Sequence, residues 1–253
     1  MPRIPTLSPL YQYGVEIRQG QIIMVAGRSG SQKSGFAMWM AKEWDLPTLY
    51  FSGDMSAFTA SSRLASSITS KTTEDIEKAM AKGGPERDEI LAALAGSKMQ
   101  FAFGSPITWR SIDEELDAFV ELHNAYPQVI ILDNLMDFEG GAESDYTAQM
   151  AVMASVTEMA RDTGATVLIM HHASDKSWDA KNDPFSPPSR QEVKGGLSEK
   201  PELSLSVALN PNDLRFNIAV IKNRSGAQDP TARRWVTIQC VPEVTQFRPL
   251  ART

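Results

Sequence analysis

Short apolar runs alternate with longer segments of helical spacing along the first 173 residues of the chain. Five runs read as buried strands, namely "QIIMVAG", "PTLYFSGD", "MQFAFG", "QVIILDNL" and "ATVLIMHH". Each run is too short for a buried helix and is bounded by glycine, proline or polar residues. Strands that alternate with helices predict an α/β fold with a mostly parallel sheet flanked by helices.

The segments between these runs have the spacing of helices. Phe36, Met40 and Trp44 recur every four residues, which places them on one helical face. In "SIDEELDAFVELHNAY", Ser111 with Glu114 three residues later predicts an N-terminal capping box. "TAQMAVMASVTEMARDTG" predicts a further helix that ends at Gly164.

The pattern changes at both ends of this alternating region. Residues 1–14 are rich in proline, serine and tyrosine and predict an extended arm, either frayed or packed on a neighbouring subunit. Residues 174–195 are polar and proline-containing, which predicts a mobile loop. "LSLSVALN" and "RFNIAVIKNR" alternate in polarity and predict a C-terminal antiparallel extension. We therefore expect an arm over 1–14 and one domain over 15–253.

Composition and charge limit the function classes. The chain has 253 residues and a formal net charge of -6, which disfavours a protein that coats nucleic acid through overall charge. Its single cysteine, Cys240, excludes an internal disulfide and a cysteine-based zinc cluster. No apolar run suits a membrane span or a signal peptide. We expect no membrane partner and a cytoplasmic protein, in the host cytoplasm if the gene is viral.

The stretch "VAGRSGSQKSG" nearly matches the phosphate-loop pattern G-x-x-x-x-G-K-[ST] between a strand and a helix. Backbone N–H groups of such a loop surround phosphates, and the following helix dipole favours their charge. We predict ATP binding by Lys33, which would reach the outer phosphates, by Ser34, which would bind Mg²⁺ (or Mn²⁺), and by the rest of the loop: Gly27, Arg28, Ser29, Gly30, Ser31 and Gln32. Gln32 departs from the pattern, which has glycine there.

Two carboxylates complete this candidate chemistry. Asp133 ends the strand "VIILD" and is predicted to hold the metal with Ser34. Asp54 follows "LYFSG" and is predicted to orient the attacking water. The alternative interpretations are a metal-free buried aspartate at Asp133 and a helix N-cap at Asp54.

Together these segments resemble the motor domain of DnaB-type replicative helicases, within the RecA-like ATPases. "LYFSGDMSAFTASSRLAS" resembles the segment that carries the family's catalytic acid, with Asp54 in place of glutamate. "VIILDNLMDF" resembles its metal-binding strand. "TVLIMHHAS" resembles the strand whose terminal polar residue senses the γ-phosphate, which implies that role for His172. The resemblance spans about residues 15–240 and does not extend to the family's N-terminal domain.

The segment "IAVIKNRSG" resembles the family's pair of cations that act in a neighbouring subunit's site. The resemblance implies that Lys222 and Arg224 complete the catalytic set with Lys33, Asp54 and His172. A hexamer or helical filament is then expected. The alternative for these two cations is a solvated hairpin end.

The resemblance also implies movement on single-stranded or forked DNA during replication, gripped by two loops. The first loop is acidic, and the second, 174–195, mixes both signs of charge and carries Trp178 and Phe185, which would stack on bases or pack on the protein. Two alternatives stay open. One is a metal-dependent nuclease built on Asp133, Asp137 and Glu139, with His171 as base. The other is a non-motor loader or assembly ATPase with weak turnover.

Overall fold

The computed structural model describes residues 1–141, 146–174, 183 and 185–250. Its nine strands are β1 (Ile22–Gly27), β2 (Thr48–Ser52), β3 (Met99–Phe103), β4 (Val129–Asp133), β5 (Thr166–His172), β6 (Leu203–Leu209), β7 (Arg215–Asn223), β8 (Val236–Val241) and β9 (Gln246–Arg248). They form one sheet in the order β3-β2-β4-β5-β1-β6-β7-β8-β9.

The helices of the described residues lie on both faces of this sheet. They are α1 (Ser8–Gln12), α2 (Lys33–Trp44), α3 (Ala57–Thr69), α4 (Thr73–Lys82), α5 (Pro85–Ala95), α6 (Trp109–His123) and α7 (Tyr146–Thr163). Short 3₁₀ helices include Leu135–Asp137, Arg190–Glu192 and Lys194–Glu199. Among the described residues, no helix is long and apolar enough to span a membrane.

The strand directions confirm the predicted fold class. The pairs from β3 to β6 along the sheet are parallel, and β6, β7, β8 and β9 pair antiparallel. Strands such as β2 and β4 are buried along their whole length because helices cover both faces. The sequence "LSLSVALN" and "RFNIAVIKNR" forms the β6–β7 hairpin, as predicted.

A hydrophobic core lies on each face of the sheet. One core packs α2 against the sheet through aromatic side chains, with the rings of Phe36 and Phe216 5.0 Å apart between centroids. The other packs α6 and α7 against the opposite face through side chains such as Phe119 and Val156. These two cores fix the sheet and therefore the positions of the loops at its edges.

Residues 1–14 were predicted to form an extended arm, and this prediction is wrong because the segment is partly helical. Pro5–Leu7 forms a 3₁₀ helix that continues into α1, and Ile4, Leu7 and Leu10 are each 1% exposed in the core that holds α2. The apolar residues recur every three positions, a helical spacing that the prolines obscured. The segment packs on its own chain.

The predicted capping box of α6 is displaced by three residues. Thr108 is the N-cap and accepts a hydrogen bond from the Ser111 backbone N–H, while the Ser111 hydroxyl accepts one from the Thr108 N–H. Both ends of the box are hydroxyl side chains, so the sequence pattern with glutamate missed it.

The two predicted DNA-facing loops lie only partly within the described residues. Glu143 and Asp145, two of the acidic residues of the first loop "MDFEGGAESDY", lie outside them, and so does Trp178 of the second loop. Phe185 is half-buried, and its backbone carbonyl accepts a hydrogen bond from Asn217 on β7. Val193 pairs with Ala173 after β5, which ties the end of the second loop to the sheet.

Candidate nucleotide-binding site

The turn between β1 and α2 leaves no space for a side chain at its first residue. A Cβ atom at Gly27 would lie 2.5 Å from the Ser31 hydroxyl oxygen and 2.9 Å from the Val207 carbonyl oxygen. The Ser31 hydroxyl in turn donates to the Arg28 carbonyl at 2.7 Å. Glycine at position 27 therefore allows the loop to fold tightly over the end of β1.

Gln32 adopts the backbone conformation for which the phosphate-loop pattern uses glycine. Its φ is 61° and its ψ is 28°, in the left-handed region, and it forms the N-cap of α2. A Cβ atom at Gly35 would lie 3.0 Å from the Gln32 side-chain oxygen, so Gly35 provides room for that side chain. Gly30 also has a positive φ, of 73°. The loop thus keeps its turn, with strain at one non-glycine residue.

The parallel strands bring the predicted site residues to one edge of the sheet. β1, β2, β4 and β5 end there, because they run in the same direction. A cavity of about 210 Å³ opens at this edge. It is lined by Ser29, Gly30, Ser31, Gln32, Lys33, Ser34, Gly35, Asp54, Arg63, Asp133, Asn134 and His172.

Asp133 lies at the floor of this cavity, buried and hydrogen bonded. Tyr50 from β2 donates its hydroxyl hydrogen to the Asp133 carboxylate at 2.5 Å, and Ser34 forms a second hydrogen bond with it. Burial raises the pKa of the Asp133 carboxyl, and the two hydrogen bonds offset part of that shift. A carboxylate and a hydroxyl side by side are oxygen ligands of the kind that Mg²⁺ prefers, so these residues fit the predicted metal.

Lys33 and His172 both line the cavity. Lys33 begins α2, and its ammonium group donates to the Arg28 carbonyl oxygen at 3.0 Å. Burial, followed by the positive charges of Lys33 and Lys194, lowers the pKa of His172. His172 is therefore neutral at pH 7 and offers one donor and one acceptor nitrogen to the cavity.

Asp54 lines the cavity and does not cap the following helix. Ser56 is the N-cap of α3 and accepts a hydrogen bond from the Thr59 N–H at 3.1 Å. The alternative interpretation of Asp54 as a helix cap is therefore wrong. Burial is the main cause that raises the pKa of Asp133 and of Asp137, and the nearby Asp54 carboxylate adds to both shifts.

Arg28 differs from its neighbours in the loop because its side chain leaves the cavity. The guanidinium pairs with Glu192 at 2.7 Å and donates to the carbonyl oxygens of Ser186 at 2.8 Å and Ser174 at 3.3 Å. The side chains of this pair are 11% and 21% exposed, so the charges are largely removed from water. Arg28 thus joins the phosphate loop to the segment that precedes β6, and only its backbone faces the site.

Lys222 and Arg224 lie at the other edge of the sheet. The Arg224 N–H donates to Glu202, whose own N–H donates to Ile22 at the start of β1. β1 has six residues, so this edge lies about 17 Å from the Gly27 end at the rise of a β-strand. Among the residues that the structure describes, the cavity lining includes neither Lys222 nor Arg224.

Three side chains of the site were missed by the sequence reasoning. Tyr50 bonds Asp133, Asn134 lines the cavity, and Arg63 adds a cation from α3. Arg63 is the one charged residue in the serine- and alanine-rich stretch "AFTASSRLASSIT", which is the signal that could have identified it. No feature of the local sequence marks Tyr50 or Asn134 as a site residue. Their place in the site depends on contacts with residues far away in the chain, such as that between Tyr50 and Asp133.

The nuclease alternative gains no support from the residues that the structure describes. Within residues 1–141, 146–174, 183 and 185–250, no three His, Cys, Asp or Glu side chains gather to hold a metal. His171 is buried, and its Nε2 atom lies 2.9 Å from the Lys194 carbonyl oxygen. It is not placed to act as a base on a substrate outside the protein.

Two comparisons relate the chain to known proteins by sequence. Residues 2–177 match a family described as an AAA domain. The chain is also 28% identical over 254 residues to the Gene 65 protein of Mycobacterium phage L5, an alignment that covers 97% of this chain and 92% of that protein.

Solved structures show a similar fold. One solved ATPase domain superposes with a TM-score of 0.78 at 14% identity, covering 97% of this chain and 90% of that chain. A DnaB-like replicative helicase, solved with regard to its interactions with primase, gives a TM-score of 0.75 at 14% identity. That match covers 92% of this chain and 58% of the helicase chain. At this identity the likeness establishes the fold, and the predicted RecA-like P-loop fold with its antiparallel extension is confirmed.

Proposed function

Because the chain belongs to the AAA domain family of P-loop ATPase folds, we propose that it is a DnaB-like ATP-hydrolysing motor. It binds ATP in the cavity at the end of β1 and hydrolyses it at the contact between protomers. Hydrolysis is coupled to movement on single-stranded or forked DNA during phage replication in the host cytoplasm. The phage relative and the folds of the solved ATPase domain and the DnaB-like helicase support this assignment.

One observation carries the proposal, namely the separation of the site into two halves. Lys33, Ser34, Asp54, Asp133 and His172 meet in one cavity, while the two cations predicted to act with them lie at the opposite edge of the sheet. A protomer cannot bring both halves together by itself. A neighbouring copy can, and a hexamer or helical filament repeats that contact around or along the assembly.

Each residue of the cavity has a role that its position supports. Lys33 leaves the Arg28 carbonyl and contacts the outer phosphates, while Ser34 and Asp133 would hold Mg²⁺, which neutralises charge on the phosphates when bound. Asp54 orients the attacking water. His172, neutral and on the strand beside β1, hydrogen bonds the terminal phosphate.

The neighbouring protomer supplies the rest of the charge. Lys222 and Arg224 of that protomer neutralise the charge that develops on the transferred phosphate, the largest single effect expected in this reaction. The Arg224 side chain is 63% exposed and its distance to Glu202 is 4.0 Å, so a triphosphate can draw it away at little cost.

The proposal is tested by ATP hydrolysis with and without single-stranded DNA. Wild type should hydrolyse ATP faster with DNA, and Lys33→Ala and Arg224→Ala should each lose about 1,000-fold in kcat. A mixture of the two variants should regain activity, because each supplies the half that the other lacks. No rescue on mixing, with both variants folded by circular dichroism, would exclude shared sites.

The same assay decides between the motor and its alternatives. A loader or assembly ATPase would ignore DNA and hydrolyse ATP only with its partner protein present. A nuclease would cut DNA with metal alone and would retain that activity in Lys33→Ala. Stimulation of ATP hydrolysis by DNA without a partner protein would exclude the loader, and intact DNA after incubation with metal would exclude the nuclease.

A further inference from the structure

A third cation lies beside the pair that is proposed to act in the neighbouring site. Arg190 donates to the Glu199 carboxylate at 3.0 Å, and Lys222 donates to the backbone carbonyl of the same Glu199. Arg224 is two residues away from Lys222 at the end of β7. Arg190 and Lys222 thus meet at Glu199, and Arg224 follows closely on the same stretch of chain as Lys222.

The positive charges of this cluster outweigh its carboxylates. Burial lowers the pKa of Lys222, and the next causes are the charges of Arg224 and Arg190, ahead of the opposing effects of Glu199 and Glu202. In the Arg190–Glu199 pair the side chains are 29% and 63% exposed, so water reaches the pair and weakens it. An incoming phosphate therefore meets a positive field that a weak ion pair does not cancel.

The backbone around Arg190 is held firmly. Its N–H donates to the Pro230 carbonyl at 2.8 Å, and it starts the 3₁₀ helix Arg190–Glu192. Glu192 closes that helix by accepting hydrogen bonds from the Ser189 N–H at 2.8 Å and the Ser189 hydroxyl at 2.7 Å. Glu192, through Ser189, and the Pro230 carbonyl together fix the backbone at Arg190.

Glu192 is also the partner of Arg28 in the protomer's own phosphate loop. One of its oxygens accepts from Arg28 at 2.7 Å, while the Arg28 carbonyl accepts from Lys33. A continuous set of contacts therefore runs from Lys33 through Arg28 and Glu192 to Arg190. The Arg28–Glu192 pair is largely buried, and separating two buried charges is costly. A movement of the phosphate loop at Arg28 should therefore move Glu192 with it.

We propose that Arg190 is a third trans-acting cation, which binds the triphosphate held by the neighbouring protomer together with Lys222 and Arg224. Its position is set by the phosphate loop of its own protomer through Glu192 and Arg28. This inference rests on the proposed function, since it requires a shared site. The phosphate loop of each protomer would then influence where Arg190 lies in the nucleotide site of the neighbouring protomer.

The test measures ATP hydrolysis by Arg190→Ala and by its mixture with Lys33→Ala. Arg190→Ala should lose about 10- to 100-fold in kcat, less than Arg224→Ala, and Arg190→Lys should regain part of that loss. Mixing Arg190→Ala with Lys33→Ala should give more activity than the two preparations measured apart. Arg215→Ala, an exposed cation at the other end of β7, is the matched control and should behave as wild type.

The outcomes separate this inference from the proposed function. Suppose that Lys33→Ala rescues Arg224→Ala on mixing but does not rescue Arg190→Ala. Arg190 would then act in the nucleotide site of its own protomer, which overturns this inference and leaves the proposed function intact. Unchanged kcat in Arg190→Ala would overturn it as well. Failure of both mixtures would remove the shared site and the proposed function with it. If Arg190→Ala does not fold, Arg190→Gln, which keeps a donor for Glu199, takes its place.

Discussion

Gln32 shows that a residue outside the phosphate-loop pattern can still form the turn. The left-handed conformation costs an ordinary residue about 1–2 kcal/mol, and Gln32 adopts it at φ 61° beside the space left by Gly35. The departure from the pattern is therefore a cost in stability that the surrounding loop sustains.

Replacing Gln32 by glycine should stabilise the protein. We expect Gln32→Gly to raise the free energy of unfolding by about 0.5–1 kcal/mol, since relief of strain exceeds the added entropy of the unfolded chain. Urea denaturation of wild type and Gln32→Gly measures this difference in the free energy of unfolding. Gly30→Ala, where φ is 73° and a Cβ meets nothing within 4 Å, should lower stability by a similar amount. A loss of stability in Gln32→Gly would show that its side chain holds the loop.

His171 should make stability depend on pH. Burial is the main cause that lowers its pKa from 6.5 to about 4. Between these values the unfolded chain binds a proton that the folded chain does not, so the free energy of unfolding falls as pH falls below about 6.5. The full contribution is present above that pH.

The comparison of two variants isolates this residue. From pH 7 to about pH 5, wild type should lose about 2 kcal/mol more than His171→Gln in urea denaturation. His123→Gln, at an exposed histidine of α6, is the control for the loss of a histidine elsewhere in the protein. Parallel profiles for wild type and His171→Gln would mean that this ring takes up its proton in the folded state.

At the scale of the elements, residues 1–14 belong to the core. Leu10 on α1 is 1% exposed among the side chains that hold α2. We expect Leu10→Ala to lower the free energy of unfolding by about 2–4 kcal/mol, because it removes buried methyl groups and leaves a cavity.

Thermal unfolding of Leu10→Ala provides the measurement. Ser8→Ala, at an exposed position of the same helix, is the control and should change the midpoint little. If Leu10→Ala unfolds at the same midpoint temperature as wild type, residues 1–14 are not packed on the core in solution.

At the scale of the whole molecule, the sheet separates the two halves of the proposed site. Lys222 and Arg224 cannot reach the cavity across the length of β1. Activity should therefore depend on the contact between protomers and on the protein concentration that maintains it.

Dilution tests this dependence directly. The rate of ATP hydrolysis per protomer should fall by about 100-fold or more as the protein is diluted below its assembly range, following the loss of the trans cations. Light scattering at the same concentrations should show the mass of the particle falling in parallel. A constant rate per protomer in a particle of monomer mass would contradict a shared site.

The sequence by itself determined the alternation of strands and helices, the phosphate loop and the two acids at strand ends. These features are encoded in short stretches of sequence, because apolar periodicity and a short motif can be recognised without knowing which residues are in contact in the fold. For the same reason Lys33, Ser34, Asp54 and Asp133 could be named before their contacts were known, whereas His172 was implied only by the resemblance to the DnaB-type helicases. The tertiary structure placed all five around one cavity.

Only the tertiary structure decided the rest, since it depends on pairs far apart in the chain. The Tyr50 bond to Asp133 spans 83 positions and the Arg28 bond to Glu192 spans 164, and no local pattern encodes either. The docking of residues 1–14 depends on a surface made by α2 and the sheet. The separation of Lys222 and Arg224 from the cavity follows from the direction and register of β6 and β7 beside β1, which are fixed only when the whole sheet is assembled.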